Sequence, residues 1–431
     1  MSKTRKIAAQ ILTDIYKNFE FFDTSISNNK EFNRLELRDK AFVKLIVLNT
    51  LRRNVQIEKV VNDFVNTPLK KKDLFILNLI RISICQILFL DIKEYSVVNT
   101  AVEISKSFKK EKFINGLLRN ICRNKNNIKN SLINISNLPD WIKVNISKSL
   151  GKRNLNKIAE AIVKEPSTDI KIKRSHCKDK NWEKLLNGKF INKEIIRIKN
   201  EGKIEKKPFY NDGLWWVQGL SSTLPVKFIT NIYGKKENSK VSILDVGAAP
   251  GGKTAQLIEE GFNVTALEIS ERRIRRLKEN LKRLNYNTKI INKDFLCFKT
   301  KSLFDCILID APCTASGLIQ KKPEILIRDK KYNLAKLIIK QRKMLDNAVS
   351  LLKKGGYILY SVCSIHSEEG EEIIKSFLNN NNKFETVRLN PSICNIGTEI
   401  KKGMLLITPD NMKVKGGIDG FFIALIRKKA N

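Results

Sequence analysis

The chain has 431 residues and a formal net charge of +37, from 81 Lys and Arg against 44 Asp and Glu. This excess favours a polyanionic partner such as a nucleic acid, although a Lys-rich proteome is an alternative explanation. Eight Cys without a C-x-x-C pair, together with only two His, argue against a zinc site and against a disulfide framework. We therefore expect no metal, and a reducing, cytoplasmic environment.

The N-terminal region is predicted to be helical. Residues 1–138 contain one Gly and one Pro, and apolar residues recur at helical spacing, as at Ile7, Ile11 and Ile15. We predict an all-α domain over residues 1–130, followed by an Asn-rich boundary that ends at Pro139.

The most apolar stretch, residues 74–90, predicts a buried helix rather than a membrane span. It contains Asn78, Arg81 and Gln86, and an Arg at the centre of a bilayer costs about 2.5–3.5 kcal/mol. The first residues, MSKTRKIAAQ, lead directly into an amphipathic pattern, so we expect no signal peptide. We also expect no association with a membrane.

The middle region is predicted to be a small, mixed α/β subdomain over residues 138–235. Short helical and strand-like runs occur there without a clear period. Residues 151–240 hold 21 Lys and Arg against 10 Asp and Glu, which is the densest basic charge in the chain. We expect this subdomain to link the other two and to contact nucleic acid phosphates.

The C-terminal region is predicted to be an α/β domain over residues 236–431. From Val241 onward, helical stretches alternate with the apolar runs VSILDV, NVTALEI, KIINKD, FDCILID and GYILYSV. Alternation of this kind predicts a Rossmann-like, mostly parallel sheet with helices on both faces.

The segment GAAPGGKT, Gly247 to Thr254, follows the first of these strands and satisfies the phosphate-binding pattern G-x-x-x-x-G-K-[ST]. Two observations argue against ATP as its ligand. Pro250 supplies no N–H inside the loop. The next strand ends in Glu268, where doubly wound folds carry a carboxylate that binds ribose hydroxyls. We predict a nucleoside ligand without a triphosphate, and a P-loop ATPase is the competing interpretation.

Cys313 and Cys363 each follow an apolar strand. Ligands bind at the carboxyl ends of parallel strands, and neighbouring strands lie about 4.8 Å apart, so the two thiols can share one cleft. A thiolate that adds to C6 of cytosine makes C5 able to accept a methyl group, and an acid such as Asp310 can protonate N3. From the residues alone, either Cys could attack. We interpret the other six Cys as inert packing residues.

In this order and spacing, the motifs resemble a known family. DVGAAPGGKT, DAPCTASGLIQKKPEI and YSVCSIHSEEGEEII, with LWWVQGLSS upstream and GGIDGFFIALI near the end, are similar to the two-cysteine family of S-adenosylmethionine-dependent RNA cytosine-5 methyltransferases. The N-terminal segments DKAFVKLIVLNTLRR and YSVVNTAVEISKSFKKEKFINGLLRNI resemble the helical antitermination factor NusB. Together the resemblances imply S-adenosylmethionine as methyl donor and 16S ribosomal RNA, free or partly assembled, as substrate. They also imply a monomer whose basic regions bind RNA.

The resemblance implies roles for individual residues. Cys363 is the expected nucleophile, Cys313 is expected to assist product release, and Asp310 is expected to lie between donor and base. Glu268 is expected to bind the ribose, and Asp294 stands where the family has an acid beside the adenine. The Gly-rich segment is expected to hold the methionine part of the donor, with Gly247, Ala248, Ala249, Pro250, Gly251, Gly252 and Lys253.

The sequence departs from the family pattern at two of these positions and at the residue before Cys363. Glu268 stands where Asp is usual, Gly247 stands where Cys is common, and Val362 replaces a common Thr. We expect the longer Glu side chain still to reach a ribose.

Aromatic residues near the motifs have alternative interpretations. Trp215 and Trp216 can stack on a base, but we expect them to pack between the middle and C-terminal regions. His366 follows Cys363 by three residues, and we expect it on an exposed turn rather than as a base.

A non-catalytic RNA-binding or assembly factor with a degenerate enzyme fold is a further alternative. The intact Cys pair and the Gly-rich loop argue against it.

Overall fold

The computed structural model describes residues 2–133, 135–199, 202–234, 238–327, 331–412 and 415–430. The chain divides into two compact units. The helical unit comprises Met1–Lys143, Leu155–Lys164 and Ile319–Asp329, and the sheet unit comprises Val144–Asn154, Glu165–Leu318 and Lys330–Asn431. The finer division of the chain into three domains stays a prediction.

The predicted helical character of the N-terminal region is confirmed. In chain order the helices before the first strand are α1 (Ser2–Asn18), α2 (Phe22–Asn28), α3 (Lys30–Asn33), α4 (Leu37–Arg52), α5 (Asn54–Phe64), α6 (Leu74–Leu88), α7 (Glu94–Ser105), α8 (Glu111–Arg123), α9 (Lys125–Leu132), α10 (Asp140–Leu150) and α11 (Leu155–Ile162). Apolar residues of α1, α4, α6, α7 and α8 form the core of the helical unit.

The apolar stretch after residue 73 forms the buried helix α6, as predicted. Its Arg81 is tolerated inside the unit because the guanidinium pairs with the carboxylate of Glu58, with 2.6 Å between Nε and Oε1. Arg81 also donates to the side chain of Asn78. In the parts of the chain that the structure describes, no helix combines the length and apolarity that a membrane crossing requires.

The chain that follows Cys313 contributes a segment to the helical unit. Within that unit the carboxylate of Glu324, which is 2% exposed, accepts a hydrogen bond from the N–H of Phe22 at 3.1 Å. Arg52 donates to the carbonyl oxygen of Gln320 at 3.2 Å. Burial raises the pKa of Glu324. This segment is therefore part of the packed helical unit although its neighbours in sequence belong to the sheet unit.

The middle region contains a small antiparallel sheet. Its elements are β1 (Thr168–Ile172), α12 (Trp182–Leu186), β2 (Gly188–Phe190), β3 (Ile195–Ile198) and β4 (Trp215–Val217), with strand order β2-β3-β1-β4. Trp215 is buried in the core of this sheet, and Trp216 packs beside Ala248 and Ala249. Both rings are buried, so packing rather than base stacking is their role in this structure.

The C-terminal region forms the larger sheet. Its elements are α13 (Leu220–Tyr233), β5 (Ser242–Val246), α14 (Gly252–Glu259), β6 (Asn263–Glu268), α15 (Glu271–Arg283), β7 (Lys289–Asn292), β8 (Phe304–Asp310), α16 (Lys331–Leu351), β9 (Leu352–Val362), α17 (Glu371–Asn380), β10 (Phe384–Thr386), α18 (Pro391–Cys394), β11 (Thr398–Lys401), β12 (Met404–Ile407) and β13 (Phe421–Lys428).

The larger sheet is mostly parallel, as predicted. Its order is β11-β12-β13-β9-β8-β5-β6-β7, and β10 pairs with β13. The strands β7, β6, β5, β8 and β9 pair in parallel, whereas β13 runs antiparallel to β9. The predicted fold class is confirmed, with an all-α N-terminal part, a small mixed middle part and a Rossmann-like C-terminal part.

Candidate active site

The strand order reverses between β5 and β8. The chain proceeds from β5 to β6 and β7 on one side, and then crosses back to β8 and β9 on the other side. Loops that leave the carboxyl ends of β5 and β8 therefore diverge and open a crevice, which is where doubly wound sheets bind their ligands. The Gly-rich segment leaves β5 at this point and leads into α14.

Gly247 lets the backbone of this turn approach β8 closely. Its φ is +79°, and a Cβ at this position would lie 2.7 Å from the carbonyl oxygen of Asp310. Only Gly avoids both the left-handed strain and this clash. Behind the turn, Ala248 and Ala249 pack in a buried cluster with Trp216. The Gly-rich segment is thus held rigidly at the edge of the crevice.

A cavity of about 270 Å³ occupies the crevice. Six residues that the sequence predicted for the site line it together, namely Gly247, Glu268, Asp294, Asp310, Cys313 and Cys363. Residues that the sequence did not indicate also line it, namely Ile269, Arg273, Lys293, Phe295, Lys340 and Met344. A larger cavity of about 620 Å³ lies elsewhere, and its described lining contains neither a thiol nor a carboxylate. The smaller cavity is therefore the candidate active site.

Glu268 ends β6 and lines the cavity with a buried carboxylate. Its side chain is 1% exposed, and its Oε1 accepts the N–H of Ser270 at 3.1 Å. Its Oε2 lies 3.2 Å from a guanidinium nitrogen of Arg273 but accepts no hydrogen bond from any described residue. A buried carboxylate oxygen without a hydrogen bond is costly. The residue therefore fits a ligand hydroxyl such as that of a ribose.

Asp294 lies at the end of β7, on the other side of Glu268. Its Oδ1 accepts the N–H of Leu296 at 3.0 Å, which caps the short turn of Phe295 to Cys297. The carboxylate and the neighbouring ring of Phe295 both line the cavity. Together they offer an acceptor and an apolar surface to a flat heterocycle.

The two thiols meet at the carboxyl ends of adjacent strands. In the parallel pairing of β8 with β9, Asp310 lies opposite Ser361, and the chains that follow place the Sγ atoms of Cys313 and Cys363 3.3 Å apart. The hydrogen bond to Cys363 and burial raise the pKa of the Cys313 thiol well above its ordinary value. Both causes favour the protonated form of the Cys313 thiol.

Asp310 is paired with the Lys of the Gly-rich segment. Lys253 Nζ lies 2.7 Å from Asp310 Oδ2, and Ser361 Oγ donates to Asp310 Oδ1 at 3.4 Å. Although burial opposes the charge, the Asp310 carboxylate raises the pKa of Lys253. The next residue, Thr254, donates from its hydroxyl to Asp245 at 2.6 Å. The two side chains that a P-loop would turn to phosphate and magnesium are thus engaged within the protein.

Glu369 joins the two Cys-bearing loops, and the sequence analysis missed it. The residue is fully buried, and its carboxylate accepts hydrogen bonds from Thr314 N at 2.9 Å, Thr314 Oγ1 at 2.6 Å and Ser364 Oγ at 2.5 Å. Gln341 Nε2 donates to it at 3.1 Å. Because Thr314 follows Cys313 and Ser364 follows Cys363, one carboxylate holds both loops. Its only sequence signal was a polar, acid-rich run, SEEGEE.

The expectation of an exposed His366 is wrong. The residue is 2% exposed because the turn after Cys363 folds inward, where Ser364 Oγ accepts the N–H of His366 at 3.1 Å. His366 Nδ1 lies 3.7 Å from a carboxylate oxygen of Glu368, and this contact lowers the pKa of Glu368 to about 2. His366 does not line the cavity.

Among the described residues, no cluster of three or more His, Cys, Asp or Glu could hold a metal ion.

Comparisons with known proteins agree with this geometry. Residues 232–427 match the family described as 16S rRNA methyltransferase RsmB/F, and residues 2–123 match the NusB family. The chain is 29% identical to Ribosomal RNA small subunit methyltransferase B of Photorhabdus laumondii subsp. laumondii, over 99% of this chain and 98% of that protein.

Solved structures share the fold. The crystal structure of PH0851 superposes with a TM-score of 0.76 at 24% identity and covers 99% of both chains. A methyltransferase homolog protein from Pyrococcus horikoshii has a TM-score of 0.52 at 27% identity, over 67% of this chain and 95% of that chain. The similarity thus extends over both units of the chain.

Proposed function

Because residues 232–427 match the RsmB/F family of 16S rRNA methyltransferases and residues 2–123 match the NusB family, we propose that the chain methylates C5 of a cytosine in 16S ribosomal RNA through a covalent thiol adduct. S-adenosylmethionine is the methyl donor, in keeping with the family. The observation that carries the proposal is the 3.3 Å separation of the two Sγ atoms at a cavity that Glu268 and Asp310 also line.

The donor fits the cavity through the groups that the strand ends present. Glu268 Oε2 is ion-paired with Arg273 but accepts no hydrogen bond from any described residue, so it can accept one from a ribose hydroxyl, and Asp294 and Phe295 line the space for the adenine. The close turn at Gly247 borders the space for the methionine part. The bound donor supplies an electrophilic methyl group, which C5 of the cytosine accepts.

The first covalent step uses Cys363 as the nucleophile. Cys363 loses its proton to solvent, and Cys313, whose raised pKa favours its protonated form, can donate its S–H to the resulting thiolate. That thiolate forms a bond to C6, and the electron pair of the C5–C6 double bond is released toward C5 and N3. Asp310 delivers a proton to N3, and the paired ammonium of Lys253, 2.7 Å away, is the source of that proton.

Product release requires Cys313 to change from a neutral thiol to a thiolate. Once the Cys363 sulfur is bound to C6, it no longer accepts the S–H of Cys313, and the largest cause of the raised pKa disappears. Cys313 can then lose its proton to solvent and, as a thiolate, take the proton from C5. The electron pair of the C5–H bond restores the C5–C6 double bond and expels the Cys363 thiolate, while N3 returns its proton to Asp310.

Single substitutions of the two Cys test this assignment. Cys313→Ala retains the nucleophile but cannot remove the C5 proton, so we expect a protein–RNA adduct that survives denaturation when a 16S rRNA transcript and S-adenosylmethionine are present. Cys363→Ala should form neither adduct nor methylated product. An adduct formed by Cys363→Ala instead would exchange the two roles, and full methyl transfer by Cys363→Ala would refute the covalent mechanism.

A further inference from the structure

Helix α15, which follows the ribose-side strand β6, concentrates the arginines of the chain. The sequence contains 20 Arg and 61 Lys, and five of those 20 Arg lie within the 13 residues of this helix. A Lys-rich composition does not explain this cluster, because Lys outnumbers Arg about threefold in the chain as a whole. Guanidinium groups bind phosphate oxygens in pairs, which an ammonium does not.

Two of the five arginines have structural roles. Arg273 pairs with Glu268 and lines the cavity. Arg283 donates to the carbonyl oxygens of Tyr210 and Trp215, and its guanidinium carbon lies 4.0 Å from the centre of the Tyr210 ring. These contacts anchor both ends of the helix to the sheet unit.

The other three arginines face solvent. Arg272, Arg275 and Arg276 are exposed, and among the described residues none of them has an ion-pair or hydrogen-bond partner. Ile274, Leu277 and Leu281 form the buried stripe of the helix. The exposed cations of the helix form what we call the α15 basic face, which consists of Arg272, Arg275, Arg276, Lys278 and Lys282.

The arrangement of this face destabilises the isolated helix. Arg272 lies in the first turn, where the positive end of the helix dipole repels cations. Arg272 is also three and four positions from the other two, a spacing at which like charges repel each other. The acids of the same helix, Glu271 and Glu279, do not come within ion-pair distance of these arginines. An anionic partner would relieve this repulsion.

We propose that the α15 basic face binds the phosphates of the RNA substrate next to the target nucleotide. The proposal rests on the proposed function, since it assigns the RNA a place on the sheet unit. Arg273 of the same helix lines the cavity beside Glu268, so the helix that carries the face borders the donor end of the site. Nucleotides that flank a base inserted toward the two thiols keep their phosphates outside the cavity, where this face can hold them.

A triple substitution in the full chain tests the proposal. We compare Arg272→Gln/Arg275→Gln/Arg276→Gln with the control Lys301→Gln/Lys354→Gln/Lys383→Gln. The control removes the same charge from exposed positions near the amino ends of β8, β9 and β10, at the opposite edge of the sheet. The measurement is fluorescence anisotropy with a labelled 16S rRNA transcript over a range of salt concentrations. Calorimetry with S-adenosylmethionine checks that each variant retains the donor site.

The three arginine substitutions should weaken RNA binding roughly 100-fold at about 0.1 M salt and reduce the slope of log K against log salt by about 2, as expected for three lost phosphate contacts. The control should stay within about threefold of the wild type. Wild-type affinity and slope in the arginine variant, or equal losses in both variants, would overturn the proposal. Wild-type protein that binds the transcript but transfers no methyl group overturns the proposed function, and the binding comparison still decides the role of α15.

Discussion

Replacing Glu369 should separate the two Cys-bearing loops. Glu369 itself does not line the cavity, so the substitution removes no residue of its wall. The carboxylate accepts hydrogen bonds from Thr314, Ser364 and Gln341. Glu369→Ala removes the acceptor and leaves the half-buried N–H of Thr314 without this partner. Glu369→Gln keeps one carbonyl oxygen for that N–H, and its amide can donate to the two hydroxyls.

The size of the effect follows from these contacts. A hydrogen bond to a charged group contributes about 1.5–3 kcal/mol, and a buried donor left unpaired costs about 1–3 kcal/mol. Because the bonds share one acceptor they do not add, and we expect Glu369→Ala to lower the free energy of unfolding by about 3–5 kcal/mol. Glu369→Gln should lose about 1–2 kcal/mol. A displacement of either thiol by about 1 Å should slow methyl transfer roughly 100-fold.

Urea unfolding and single-turnover methylation measure these two effects separately. The exposed Glu385, whose side chain has no hydrogen-bond or ion-pair partner among the described residues, provides the control, and Glu385→Ala should stay within about 0.5 kcal/mol of the wild type. Donor affinity should change little in Glu369→Ala, which distinguishes misplaced thiols from a collapsed site. If Glu369→Ala unfolds like the wild type and methylates at the wild-type rate, the carboxylate does not position the Cys loops.

Two further substitutions probe the charges around the Gly-rich turn. Burial raises the pKa of Asp245 from 3.8 to about 6, so the folded state binds this proton more tightly and the contribution of Asp245 to stability should fall by about 3 kcal/mol as pH rises from about 4 to 6. Asp245→Asn should remove that slope in urea unfolding measured across this pH range, and an unchanged slope would contradict the assignment. Lys253→Met, placed in the Cys313→Ala background, should slow adduct formation about 100-fold if Lys253 supplies the proton for N3. An unchanged rate, with the donor still bound, would remove Lys253 from the proton path.

Local patterns predicted the parts of the site that lie at strand ends. Apolar runs identified β5, β6, β8 and β9, and parallel pairing of the last two strands then allowed Cys313 and Cys363 to be neighbours. The Glu at the end of β6 favoured a nucleoside ligand over the triphosphate of a P-loop. In the structure the ammonium of Lys253 pairs with the carboxylate of Asp310. These inferences needed only the strand period and the known geometry of parallel sheets.

Contacts that depend on how loops fold were not predictable in this way. Glu369 is one of several acids in SEEGEE, and the sequence does not distinguish the buried acid that binds Thr314 from the exposed Glu372. The same inward fold of the loop buries His366, which a polar sequence context made us place on the surface. The sequence did not single out the three exposed arginines of α15, because basic residues occur throughout the chain.

Bisulfite sequencing of 16S rRNA tests the central claim most directly. The RNA is compared between cells that carry the gene, cells that lack it and cells that carry only the Cys363→Ala allele. Our account predicts a cytosine that resists conversion in the first cells and is converted in the other two. An identical pattern in all three would contradict methylation of C5 in 16S rRNA by this protein.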